Sequence, residues 1–180
     1  DLATFGKGMA NGFPISAVVG KTKIMALMED IFFSGTFGGE TLSIAAAIAT
    51  INKLEQQQVP QHCNQIGTQL LTGLQQLITE QGLTDYFSTM GHPCWSFVTI
   101  KNGQNNSALQ LKSLFIQKMI ESGFLFMGSH NLSFSHKAEH VDQLLDVYQN
   151  LLPEIKFIDQ HNRFDQEFNG QLLKDVFKVR

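Results

Sequence analysis

Lys7 stands between two glycines in the run Asp1-Leu2-Ala3-Thr4-Phe5-Gly6-Lys7-Gly8-Met9-Ala10-Asn11-Gly12-Phe13-Pro14. Flanking glycines permit positive φ and let a bulky ligand approach the backbone. The surroundings are apolar, and the nearest acid in sequence is Asp1, so nothing local offers the ammonium a partner. A lysine held in apolar surroundings drops its pKa readily and serves as a Schiff-base nucleophile or general base. The bland alternative for so short a motif is a surface lysine in a glycine-rich turn. Residues 2–5 and 15–20 read as short apolar strands on either side of the loop.

Hydrophobic periodicity organises the rest. Residues 21–30 read as a short helix, and a glycine-rich turn follows at Phe32-Phe33-Ser34-Gly35-Thr36-Phe37-Gly38-Gly39. A helix is predicted over 41–57, its Ala45–Ala49 run small enough to pack closely on another backbone. Pro60 is expected to break the chain. Ile66, Leu70, Leu71, Leu74, Leu77 and Ile78 form a helical stripe over 61–80 that Gly82 ends. Residues 95–101 read as a strand, Asn102-Gly103 as a turn, and Ser107 as the cap of a helix over 108–122. Residues 124–127 and 132–134 are predicted strands joined through Gly128-Ser129-His130-Asn131. A last helix over 137–152 is expected to end at Pro153. The tail from 155 to 180 reads as a docked extension with one short helix.

The chain has 180 residues, 43% hydrophobic and 16% charged, with a formal net charge of -3. That is apolar enough for a packed core. No basic run points to nucleic acid. No apolar run approaches the length of a membrane span, and no signal peptide is evident. Cys63 and Cys94 have no metal-binding spacing. One disulfide could join them, but a reduced cytoplasmic protein is the simpler expectation. The chain begins with Asp rather than Met, so its natural start is expected upstream.

Two nucleotide motifs fail on spacing around Lys7: a P-loop lacks its upstream glycine, and Gly6, Gly8 and Gly12 do not make G-x-G-x-x-G. His136-Lys137-Ala138-Glu139-His140 matches H-x-x-E-H, which on a helix would turn two imidazoles toward one zinc, with Glu139 as base. A third ligand would have to come from Glu154 or Glu167. The competing reading is a polar helix start capped by Ser135. Ser34-Gly35-Thr36, followed by glycines and a helix start, has the elements of an anion site.

Taken together, Asp1-Leu2-x-x-x-Gly6-Lys7-Gly8-x-x-x-Gly12-x-Pro14-x-x-Ala17-x-x-Gly20, then Ser34-Gly35-Thr36-Phe37-x-Gly39 and an alanine-rich helix, resembles class III pyridoxal-phosphate aminotransferases. The glutamate-1-semialdehyde aminomutase branch is the nearest in look. The resemblance covers residues 1 to about 152. It implies an α/β fold, the C-terminal part of a fold-type-I PLP-dependent transferase. Residues 1–82 would be the end of the PLP-binding large domain with connecting helices. Residues 83–155 would be a small α+β C-terminal domain, and 156–180 an extension. It further implies pyridoxal 5'-phosphate as cofactor, with Lys7 forming the Schiff base and moving the substrate proton. Gly35 and Thr36 would bind the cofactor phosphate of the neighbouring subunit of a homodimer.

The chain departs from the branch at Ala10-Asn11, where more glycine is expected, and at Glu40-Thr41, where Asn-Pro is expected. No arginine occurs before Arg163, so a carboxylate clamp has no match near Gly128–Asn131. A sugar or other surface-glycan precursor is an open alternative as amino acceptor. The aspartate for the pyridine nitrogen and the first phosphate loop would lie upstream of Lys7, so the chain is expected to carry part of a site. A zinc hydrolase on His136, Glu139 and His140, and a non-catalytic module of the same fold, are the competing functions.

Overall fold

Short-range signals set most of the elements. The computed structural model describes residues 1–174, which divide into two units, one of residues 1–60 and one from Gln61 onward. In the first, β1 (Leu2–Phe5) pairs antiparallel with β2 (Ala17–Gly20), Leu2 opposite Gly20 and Phe5 opposite Ala17. A 3-10 turn, Lys7–Met9, lies in the loop between them. The expected helix over 21–30 is split into α1 (Thr22–Met25) and a 3-10 turn, Ala26–Glu29. The helix α2 (Thr41–Gln56) follows. Its small residues Ser43 and Ala47 are buried, and α2 packs against the turn that carries Lys7.

The second unit is an α+β layer with its own core. It contains α3 (Val59–Glu80, whose first two residues precede the unit), β3 (Phe87–His92), β4 (Trp95–Ile100), α4 (Ala108–Glu121), β5 (Ser129–Asn131), α5 (Ala138–Gln160) and α6 (Phe164–Glu167). The sheet order is β3-β4-β5, antiparallel throughout. Leu70 and Leu74 of α3, Leu111, Leu114, Phe115 and Met119 of α4, and Tyr148, Leu152 and Ile155 of α5 close the core. Along β4 the side chains alternate, Ser96 and Val98 inward and Trp95 outward, as the two-residue period requires. The Ser107–Gln110 capping box starts α4 as the sequence predicts. Gly82 ends α3 at φ 61, with its neighbour Leu83 donating to Ile78 O at 2.9 Å, a left-handed stop that glycine takes without a Cβ penalty.

Four expectations need correction. Pro60 does not break the chain; it lies in the first turn of α3, where its missing N–H costs nothing. The break falls instead at Gln58, with φ 49. Pro153 does not end the last helix, which runs to Gln160. A proline there strips the hydrogen bond from the carbonyl four residues back, and Gln81 Nε2 donates to that carbonyl, Gln149 O, at 3.1 Å. Leu151, Leu152, Ile155 and Ile158 then hold the helix through the proline by burial. The predicted strands at 124–127 and 132–134 are absent, and the strand β5 is the stretch between them, Ser129–Asn131. Leu125 is 88% exposed, so the apolar run misled. Finally, Ser135 is not the cap of α5: the cap is Lys137, whose N–H donates to His140 Nδ1 at 3.1 Å. The strand β3, with glycine and histidine at its end, carries no pattern that reads as a strand. Part of the expected tail, 155–160, belongs to α5, and Leu173 N–H docks on Ser113 Oγ at 3.0 Å. Residues 175–180 of that tail lie outside the described residues.

The loop at 102–106 is tied to α5 by one carboxylate. Asp159, fully enclosed, accepts from Tyr86 OH at 2.7 Å, from the N–H of Gln104 at 2.6 Å, Asn105 at 3.1 Å and Asn106 at 2.8 Å, and from Asn106 Nδ2 at 2.9 Å. Burial pushes its carboxyl up, but these hydrogen bonds outweigh burial and hold it below the usual carboxylate value. Burial first, and the bond to Asp159 second, push the Tyr86 hydroxyl up to about 12.

Candidate functional site

Lys7 opens its 3-10 turn in a left-handed conformation, φ 46, and Asn11 repeats it at φ 46 before Gly12 at φ 115. For lysine and asparagine this region is sparsely populated and costs on the order of 1–3 kcal/mol. The Met9 N–H to Gly6 O bond, 3.0 Å, closes the turn. The side chain of Lys7 is exposed and makes no hydrogen bond or ion pair among the described residues. The apolar burial expected for it is therefore not supplied by the described residues around it. Lys7, Gly8, Asn11, Phe13, Pro14 and Ile15 are among the lining of a hollow of about 410 Å³.

Gly35 and Thr36 sit in a turn closed by Gly38 N–H to Gly35 O, 3.0 Å. A second hollow, about 700 Å³, is lined by Ser34, Gly35, Thr36 and Phe37 together with Pro14 and Ile15. Pro14 and Ile15 thus border both hollows, which brings the two sequence motifs to adjoining surfaces. A Cβ at Gly8, Gly35 or Gly39 would meet nothing within 4 Å, so the backbone faces open space at these glycines. The start of α2 is not free for an anion, contrary to the sequence expectation. Glu40 caps it: its carboxylate accepts from Leu42 N–H at 2.8 Å and Ser43 N–H at 2.6 Å. An anion at this place is left with the Ser34–Gly38 turn and its hydroxyls.

The zinc reading fails on geometry. His136 precedes the first residue of α5, so the pair does not share a helix face. His136 Nδ1 accepts from Ser133 N–H at 3.0 Å, and His140 Nδ1 from Lys137 N–H. Both acids that were to complete the site, Glu154 and Glu167, pair with Lys118, at 2.9 and 3.5 Å. Among the described residues no three His, Cys, Asp or Glu gather as a metal would require.

Sequence reasoning missed a buried polar cluster. His130 shares hydrogen bonds with Ser96 Oγ at 2.9 Å and Tyr148 OH at 2.7 Å. Burial pulls its imidazole down to about 4, and burial also pushes the Tyr148 hydroxyl up. These are three uncharged partners satisfying one another in a core. His130 also borders a hollow of about 320 Å³ walled by Leu125, Phe126, Met127 and Leu144. No signal in the sequence joins Ser96, His130 and Tyr148, which lie on three different elements.

Residues 1–152 match the profile of aminotransferase class-III, and the chain belongs to that family. The glutamate-1-semialdehyde 2,1-aminomutase of Natronomonas pharaonis is 29% identical, over 84% of this chain and 42% of that protein. The 3-aminobutyryl-CoA aminotransferase of Cloacimonas acidaminovorans is 28% identical, over 87% of this chain and 38% of that protein. A solved structure, a transaminase with PLP bound, superposes with a TM-score of 0.75 at 20% identity, over 89% of this chain and 39% of its own. The chain therefore has part of the α/β fold of fold-type-I transferases, and it spans about two fifths of the length of the curated relatives it matches. No described helix is long and apolar enough to cross a membrane.

Proposed function

We propose that this chain is the part of a PLP-dependent aminotransferase or aminomutase that supplies the cofactor lysine, Lys7. The observation that carries the reading is an exposed, unpaired lysine amine in a left-handed turn of a class-III chain, at the edge of an open hollow. The residues present fit pyridoxal phosphate: an amine for the aldehyde of one cofactor, and, on the Ser34–Gly38 turn, N–H and hydroxyl donors with open glycine backbone for the phosphate of the cofactor held by the partner subunit. When bound, the cofactor supplies an electron sink for the substrate carbon. Lys7 Nζ then holds and moves the substrate proton, a general-base role for an amine freed from its first partner. Gly35 lets the phosphate approach, and Thr36 donates through N–H and Oγ.

In this reading residues 1–82 close the large domain, 83–155 form the small domain, and 156–180 extend it. The enzyme is a cytoplasmic homodimer, and Thr36 serves the partner subunit's cofactor. Its substrates are a small amino donor and a carbonyl acceptor. Residues 1–162 contain no arginine, so they supply no guanidinium clamp for an acceptor carboxylate, and a sugar or other glycan precursor stays open as acceptor beside a carboxylate substrate.

Borohydride reduction of the full-length protein with PLP, followed by peptide mapping, should place pyridoxyl on Lys7. Label on another lysine would overturn the assignment, and no label would favour a non-catalytic module. Mixing Lys7→Ala and Thr36→Ala subunits should restore activity, because mixed dimers place both defects in one site. No recovery despite proven exchange means that Thr36 does not act across the interface.

A further inference from the structure

We propose that Cys63 and Cys94 are a reversible disulfide site that staples α3 to the β3–β4 turn. The two thiols are far apart in sequence, and both are free here, Cys63 buried and Cys94 half-buried. The fold brings their backbones together through Gly67. A Cβ at Gly67 would collide with Pro93 O, so α3 rests directly on the Pro93 carbonyl, and only glycine permits that approach. Cys63 precedes Gly67 by four residues, one helical turn on the same buried face as Ile66 and Leu70. Cys94 follows Pro93 directly. The turn is fixed on both sides: Cys94 N–H donates to His92 Nδ1 at 3.2 Å, and Cys94 O accepts from Leu132 N–H at 3.1 Å.

The two thiols differ in a way that orders the chemistry. Burial, and then the neighbouring Cys94 thiol, push the Cys63 thiol up. Cys94, the more exposed, meets a solute first. Its thiolate attacks a small-molecule disulfide such as oxidised glutathione. One S–S bond breaks, a mixed disulfide forms on Cys94, and one glutathione thiolate leaves. Cys63 then gives up its proton, attacks the Cys94 sulfur and expels the second glutathione. The protein loses two hydrogens and two electrons, and the oxidant becomes two thiols. The new bond closes the segment from Cys63 to Cys94, which restrains the unfolded chain.

The test treats the full-length protein with oxidised glutathione and maps non-reduced peptides by mass. The expected product joins the Cys63 and Cys94 peptides, two hydrogens lighter than their sum, and a thiol reductant reverses it. Cys63→Ser should instead stop at a glutathione adduct on Cys94. Wild-type protein that keeps both thiols free, or that holds glutathione on Cys94 beside a reduced Cys63, would overturn the proposal. The wild-type map decides the matter even where the variant fails to fold.

Discussion

The two units solve opposite problems. Residues 61–174 seal twenty apolar side chains into one core, with Leu70, Leu74, Leu111, Leu114, Leu152 and Ile155 at or near zero exposure. In residues 1–60 the buried apolar side chains are Ala10 and Ala47, while Phe32 is 97% and Phe33 72% exposed. A folded protein rarely leaves such large apolar side chains in water. The second unit is therefore stabilised from within. The first presents its two chemical motifs on a surface that needs cover from elsewhere. The strained lysine turn, the proposed site, lies in the unit with little core, and the polar clusters around Asp159 and His130 lie inside the well-packed unit.

Cutting the chain between the two units has the largest expected effect. A fragment of residues 58–180 should fold cooperatively, with a sigmoidal urea transition and dispersed amide resonances. A fragment of residues 1–57 should show neither. Cooperative folding of the short fragment would mean that its exposed apolar side chains are not what holds it back.

Next in size is the carboxylate that ties loop 102–106 to α5. Asp159→Ala leaves the buried donors of Tyr86 and Asn106, and the part-buried N–H of Gln104, without their acceptor, and each hydrogen bond to a charged group is worth about 1.5–3 kcal/mol. Allowing for water entering the site, the 58–180 fragment should lose at least about 3 kcal/mol in urea unfolding. Because the folded carboxyl is held below its ordinary value, this contribution is present above about pH 4. It is lost as the pH falls through the folded pKa.

His130 predicts a second pH effect at higher pH. Its folded pKa, about 4, lies below the ordinary value of about 6.5. The unfolded chain therefore binds the proton first, and stability falls as the pH drops from about 6.5 toward 4. At about 1.4 kcal/mol per pKa unit the full loss reaches about 3 kcal/mol. The urea midpoint measured at steps from pH 7 to 4.5 should fall in wild type and flatten in His130→Gln. An equal slope in both proteins would place the titration elsewhere.

The smallest effect belongs to the outer surface of the well-packed unit. Met127 is 75% exposed, and Met127→Ser should change stability by no more than about 0.5 kcal/mol. A large loss in the same unfolding assay would show that the hollow beside it is more closely packed than the exposure implies.

Several elements were legible because their signals are local. The Ser107 cap, the Gly82 stop and the leucine stripe of α3 each act within a few residues, through hydrogen bonds and the 3.6-residue period. Lys7, Gly35 and Thr36 were legible as motifs by residue type and spacing. Their approach to adjoining hollows across Pro14 and Ile15 was not, since it depends on how the chain between them folds back.

What the sequence determined by itself is therefore the family, most helices and the residues that carry the proposed chemistry. Only the tertiary structure decided the rest. It turned Ser129–Asn131 into a strand because β4 offered an edge and Ser96 and Tyr148 satisfied His130. It carried α5 through Pro153 because Gln81, just past the end of α3, took the orphaned carbonyl and the core held both sides. It brought Cys63 toward Cys94 through a glycine contact that no spacing reveals. In each case the deciding partner is distant in sequence, and a pattern read along the chain cannot contain it.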